Sequence, residues 1–238
     1  MVEQAHAVRR VPLSRDRVLR AAVALADAAG IESLNMRGLA QDLGVVPMAL
    51  YKHVANKNQL LDGMVDVIVG EIPATVDGSD WKSDVRQRIL AARRALLRHR
   101  WASRVIESRT TPTPVMLGYM DSVIGRFRTG GFSVDLTHHV MHALGSRLWG
   151  FTQDLFDPLP DAVPPNQEPM LREMARQYPY VAEMAVAATH DGDSVVGSGC
   201  DDQFEFEFAL DILLDGFERL QQQGWTSGNT LAAAAASD

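Results

Sequence analysis

Apolar positions recur with helical spacing along most of the chain. Val18, Ala22, Leu25 and Ala29 fall at i, i+4, i+7 and i+11, one buried stripe of a helix. Ser14 caps the start of that helix and Gly30 stops it. Asn35 opens a short helix over about 36–43, with Leu39, Ala40 and Leu43 on one face and Gly44 after it. Pro47 suits the first position of a third helix, about 47–53, where its missing N–H costs nothing. Asn56 followed by Gln59 is a capping-box pattern. The helix it opens, about 57–71, carries Leu60, Leu61, Met64, Val65, Ile68 and Val69. Beyond a Pro/Gly/Ser break at 73–80 the pattern predicts helices over about 81–99, 102–107, 114–129, 133–156, 168–187 and 204–222. Two connections interrupt this series: Asp157–Pro169, rich in proline, and Thr189–Gln203, rich in Gly, Ser and Asp. No stretch alternates long enough to make a strand, so the fold class is all-α.

The first three helices, joined by tight glycine-containing turns, form a tri-helical unit, and the second and third of them a helix-turn-helix. Ala40 lets two helices cross closely, and Gly44 permits the sharp turn between them. Val45 and Leu50 plug the third helix onto the other two. Its opposite face shows Pro47, Met48, Ala49, Lys52 and His53, a short helix that fits a major groove end-on. Charge agrees with this placement. The net charge of −7 divides into +3 over residues 1–60 and −10 over the remainder, so only the first quarter has the balance of a nucleic-acid binder. Arg93, Arg94, Arg98 and Arg100 read as a solvated face and not as a second DNA site.

The run Gly44, Val45, Leu50, Tyr51, His53, Val54, Asn56, Lys57, Leu60 and Leu61, with Arg37-Gly38-Leu39-Ala40 before it, resembles the DNA-binding domain of the tetracycline-repressor (TetR) family of bacterial transcription factors. The resemblance covers about residues 14–64. The rest of the chain is similar in length and helical texture to the tetracycline-repressor-like C-terminal subgroup. This resemblance implies that Tyr51 and Lys57 hold phosphates, and that Arg37 touches a base or a phosphate. It also implies that Pro47, Met48, Ala49, Lys52 and His53 meet base edges. Many relatives carry a hydroxyl where Ala49 stands. Here Ala49 has only a methyl to offer, as to a thymine methyl.

The expected organisation is a flexible arm at 1–13, a helix-turn-helix DNA-binding domain at 14–60, a helical ligand-binding and dimerisation domain at 61–223 and a disordered tail at 224–238. Phe206, Leu210, Leu213, Phe217 and Leu220 form one seam of the last helix, and Phe204, Phe208 and Ile212 a second face. One face covers the core and the other calls for a second copy of the chain. The seam Phe206, Leu210, Leu213, Phe217 and Leu220 is assigned to dimerisation, which the resemblance also implies. For the small-molecule pocket that it implies, the candidates are Trp101, Met116, Tyr119, Met120, His138, His142, Trp149, Met174 and Tyr178. His138 and His142 share a helix face, but no third ligand stands near, so no metal and no cofactor are assigned.

Function classes narrow accordingly. One cysteine, Cys200, excludes an intrachain disulfide, and no apolar run reaches the ~18 residues of a membrane span. The start has no apolar leader, giving the expectation of a cytoplasmic protein. No nucleophile elbow or phosphate loop suggests an enzyme. The reading is a ligand-responsive transcriptional repressor, a homodimer released from palindromic double-stranded operator DNA by a small-molecule effector. The alternative is a DNA-binding regulator or architectural protein without a ligand.

Overall fold

The computed structural model describes residues 12–73, 80–150, 173, 176–180 and 202–229. The arm to residue 11, the connection over 157–169, most of the connection over 189–203, most of the helix expected over 168–187 and residues 230–238 lie outside the described residues. Among those described, all regular structure is helical: α1 (Arg15–Ala29), a short 3₁₀ turn, α2 (Met36–Asp42), α3 (Pro47–Leu50), α4 (Lys57–Gly70), α5 (Trp81–Arg98), α6 (Ala102–Glu107), α7 (Pro114–Thr129), α8 (Val134–Gly150) and α9 (Asp202–Gln222). No helix among them is long and apolar enough to cross a membrane. The chain forms two compact units, one of Met1–Ser79 with Gln87–Arg126, the other of Asp80–Arg86 with Phe127–Asp238.

Local chemistry sets the helix ends in the first unit. Ser14 Oγ accepts from Arg17 N at 3.2 Å, and Asn35 Oδ1 accepts from Gly38 N at 2.8 Å. Asn56 Oδ1 accepts from Gln59 N at 2.9 Å, while Gln59 Oε1 accepts from Ala55 N at 2.6 Å. The reciprocal pair satisfies two amides that the first turn of α4 cannot. Gly44 turns the chain from α2 into α3 at φ 66°, a left-handed conformation that a Cβ would strain.

The core of this unit holds most of the positions that the periodicity marked: Val18, Ala22, Leu39, Leu50, Leu60, Met64 and Ile68 are buried with Val54, but in α1 Leu25 is half-buried and Ala29 exposed, and Leu19, Val23 and Ala26 complete the buried stripe instead. Helices α1 and α4 cross at Gly63. A Cβ there would lie 2.6 Å from a methyl of Leu19, itself buried. Helix α5 is covered on more than one side, so Arg93 is 4% exposed and not part of a solvated face; Arg94, Arg98 and Arg100 are exposed.

In the second unit, Trp81, Phe127, Phe132 and Phe217 make an aromatic cluster with neighbouring ring centroids 4.6 to 6.5 Å apart. Beside it runs an ion-pair row. Lys82 Nζ reaches Asp215 at 2.6 Å and Glu218 at 2.8 Å, and Arg86 reaches Asp211 at 2.6 Å and Glu207 at 2.7 Å. Hydrogen bonds from Gln203 and then Arg86 hold the Glu207 carboxyl below its usual range.

Two expectations need correction here. The seam assigned to dimerisation is largely core: Phe206, Leu210 and Phe217 are buried in their own chain, Leu213 and Leu220 are half-buried, and Leu214 completes the buried stripe. Phe204, Phe208 and Ile212 are the exposed ones, at 60, 56 and 55%. The tail is not disordered from residue 224. Ser227 donates to Asp135 through its amide at 2.7 Å and its hydroxyl at 2.9 Å, which docks the segment on the first turn of α8. Those bonds, the amide's first, hold the Asp135 carboxyl below its ordinary value.

Candidate DNA-binding face and effector core

Helix α3 is shorter than the pattern predicted. It ends at Leu50, and Tyr51–His53 turn back on it: His53 N donates to Leu50 O at 2.8 Å and Val54 N to the same oxygen at 3.0 Å. Leu50 and Val54, both fully buried, fix the back of this segment to the core. Its other side is open. Met48 is 71% exposed and Tyr51 46%; Pro47 and Lys52 are exposed, and Ala49 and His53 are half-buried. Arg37 on α2 and Lys57 at the start of α4 are exposed as well.

Four cations elsewhere in the unit are paired. Arg20 pairs with Asp16, Arg98 with Glu71, Arg104 with Glu32 and Arg109 with Asp62. Arg37, Lys52 and Lys57 have no carboxylate partner among the described residues. Unpaired cations around an apolar helix tip are what a polyanion with apolar groups in its groove requires.

Behind the face, α4 is gripped along one row. Arg109 reaches Asn58 and Asp62, at 3.5 and 3.4 Å, and Thr113 Oγ1 donates to Asp66. Glu71, at the end of α4, accepts from Arg98. His99, 5% exposed, donates from Nδ1 to Asp27 of α1 at 2.9 Å and turns Nε2 toward Glu71 at 3.4 Å. The indole N–H of Trp101 donates to the same Asp27 at 2.7 Å. Sequence reasoning missed Asp27, Glu71 and His99, because partners some 72 residues apart leave no local pattern. Trp101, a pocket candidate, ties the start of α6 to α1 through its indole N–H.

Of the other pocket candidates, Met116 and Tyr119 are buried, one turn apart on α7. The Tyr119 hydroxyl has no hydrogen-bond partner among the described residues, and burial pushes its pKa up to about 12. Arg88 of α5, also missed, lies 4.7 Å from the Tyr119 ring centroid and donates to Pro73 O at 2.7 Å. Met120 is 38% exposed and Tyr178 51%, and His138 and His142 are exposed on α8, in the second unit. The side chains of Trp149 and Met174 lie outside the described residues. Among those described, no group of three or more metal-ligating side chains could hold an ion.

The family of bacterial regulatory proteins called tetR matches residues 18–64, and the tetracyclin repressor-like C-terminal domain matches residues 73–221. The chain belongs to the TetR family. Its relatives include a HTH-type transcriptional repressor, DrrR1, from Streptomyces coeruleorubidus, 30% identical over 89% of this chain and 79% of that one. The tetracycline repressor protein class D of Escherichia coli is 32% identical over 87% and 89%. Among solved structures, a possible TetR family transcriptional regulator from Streptomyces coelicolor A3(2) superposes with a TM-score of 0.67 at 30% identity, over 87% of this chain and all of that one. As a TetR-family member the protein is a DNA-binding transcriptional repressor of the ligand-responsive type, in a family of regulators and not of enzymes.

Proposed function

We propose that the protein works in the cytoplasm as a homodimer that holds a palindromic operator through Arg37, Pro47, Met48, Ala49, Tyr51, Lys52, His53 and Lys57. Arg37, Tyr51 and Lys57 anchor phosphates, and the tip of α3 enters the major groove. The observation that carries this reading is the α3 face: buried at Leu50 and Val54, open at Met48 and Tyr51, and accompanied by exposed cations without carboxylate partners among the described residues. Dimerisation runs through the exposed face of α9, where Phe204 and Phe208 stack at 6.3 Å, and not through the buried seam. Two heads about 34–36 Å apart then read adjacent major grooves.

The effector binds beside Tyr119, Met116 and Arg88. A buried phenol without a hydrogen-bond partner among the described residues, with a guanidinium against its ring, offers one donor and a cationic surface in apolar surroundings. An aromatic, oxygen-bearing effector fits that chemistry. Release is a population shift. The α4 row Asn58, Asp62 and Asp66 is gripped from Arg109 and Thr113, and α4 begins at Lys57, so displacing that grip moves a phosphate anchor. The experiment is selection of duplexes from a random pool, followed by titration with an effector found by thermal shift. Two protomers per palindromic duplex and loss of affinity at saturating effector are expected. A saturating effector that leaves operator affinity unchanged would overturn the release mechanism, and a single protomer per duplex the dimer.

A further inference from the structure

Among the described residues up to Pro73, the large apolar side chains left exposed are Val46, Met48 and Tyr51, all within six positions around α3. Val46 is 68% exposed and Met48 71%, and Pro47 between them is exposed. None of the side chains at 46–49 carries a hydrogen-bonding nitrogen or oxygen, and Pro47 has no N–H. Val46 caps α3 through its extended backbone, at ψ 145°, with no side-chain bond to the helix. The polar groups of the face stand off the tip, on Arg37, Tyr51, Lys52, His53 and Lys57.

Base discrimination in the major groove uses donor and acceptor edges or the thymine C5-methyl group. A tip without side-chain donors or acceptors leaves only the methyl. We infer that this chain reads the bases beneath the start of α3 by apolar contact of Val46 and Met48 with thymine methyl groups, so that each half-site of its operator carries thymine there. The inference rests on the proposal that the α3 face meets the major groove. It adds Val46 as a specificity-determining residue and names the chemical group that is read. DNA is the occupant that charge favours, because the exposed cations Arg37, Lys52 and Lys57 of the same helix-turn-helix segment have no carboxylate partner among the described residues.

Replacing single thymines of the selected duplex by deoxyuridine tests this with the full-length protein, since the change deletes the methyl and keeps O4 and the base pair. At the contacted position each substitution weakens binding about fourfold, and substitution in both half-sites about fifteenfold, the change expected from losing one buried methyl per half-site. With Met48→Ala the preference for thymine over deoxyuridine at its own position falls to about one, while the salt slope holds. Val46→Ser does the same at the neighbouring position. Both residues are exposed, so neither change opens the core, and circular dichroism checks the fold. Deoxyuridine without effect at every thymine, or selected half-sites lacking thymine at the centre of the footprint, would overturn the inference while leaving the operator reading standing. A protein that selects no duplex would overturn that reading, and this inference with it.

Discussion

Replacing Asp27 with alanine should unlock the first unit at one point. The carboxylate is 31% exposed, so its removal leaves no cavity, yet it accepts from two buried residues, His99 at 2.9 Å and Trp101 at 2.7 Å. A hydrogen bond to a charged group contributes about 1.5–3 kcal/mol, and two are exchanged for bonds to water at the vacated, partly exposed site, so Asp27→Ala should cost about 2–4 kcal/mol. Asp27→Asn keeps one acceptor oxygen and should cost roughly half as much. Trp101→Phe removes the indole N–H. Combined with Asp27→Ala it should show a coupling of about 1–2 kcal/mol, because the second change then breaks a bond already gone. Urea unfolding followed by circular dichroism gives these values, and hydrogen exchange in α1 localises them. An Asp27→Ala protein within about 0.5 kcal/mol of wild type, or a strictly additive double variant, would refute the reasoning. Since Trp101 faces α1, Trp101→Phe should also leave effector affinity unchanged.

Three further outcomes follow from particular contacts. Tyr119→Phe removes a buried hydroxyl with no partner among the described residues, so it should stabilise the free protein by up to about 1 kcal/mol in thermal unfolding while weakening the effector. Gly63→Ala drives a methyl into Leu19 at the α1–α4 crossing and should destabilise by about 1–3 kcal/mol, less the fraction that a better helix former returns, which urea unfolding measures. The Asp135 carboxyl is held below its ordinary value of 3.8 by Ser227, so its contribution is present above that value and lost as pH falls through the lower, folded one. Protection of the Ser227 amide, followed by NMR exchange, should persist through mildly acidic pH and vanish only below the ordinary aspartate range.

The legible part of the fold was the part written in neighbouring residues. Ser14, Asn35 and Asn56 cap helices by accepting from the amide three residues on, so the starts of α1, α2 and α4 could be read directly. Helix α3 overshot because Tyr51–His53 stay coiled by bonding back to Leu50, which periodicity cannot distinguish from a further helical turn. On α9 the 3.6-residue stripe shows that a face is buried but not what buries it. The chain's own core took Phe206, Leu210 and Phe217, and left Phe204, Phe208 and Ile212 outside. The candidate DNA face was legible for the same local reason, as one short helix with a buried back. Of the proposed effector core, local pattern marked Met116 and Tyr119 and not Arg88. Arg88 and the Asp27–His99–Glu71 chain join segments far apart in sequence, where no spacing rule applies.

The most direct test of the central claim is a fluorescence-anisotropy titration of the full-length protein onto a selected palindromic duplex and a scrambled one, at two salt concentrations, alongside Lys57→Ala. The account predicts a preference of about a thousandfold or more for the selected duplex. It also predicts a steep salt slope that Lys57→Ala lowers by about one unit per protomer without changing which duplex is preferred. Equal affinity for the two duplexes, or a Lys57→Ala protein that keeps the salt slope and changes the preferred sequence, would contradict it.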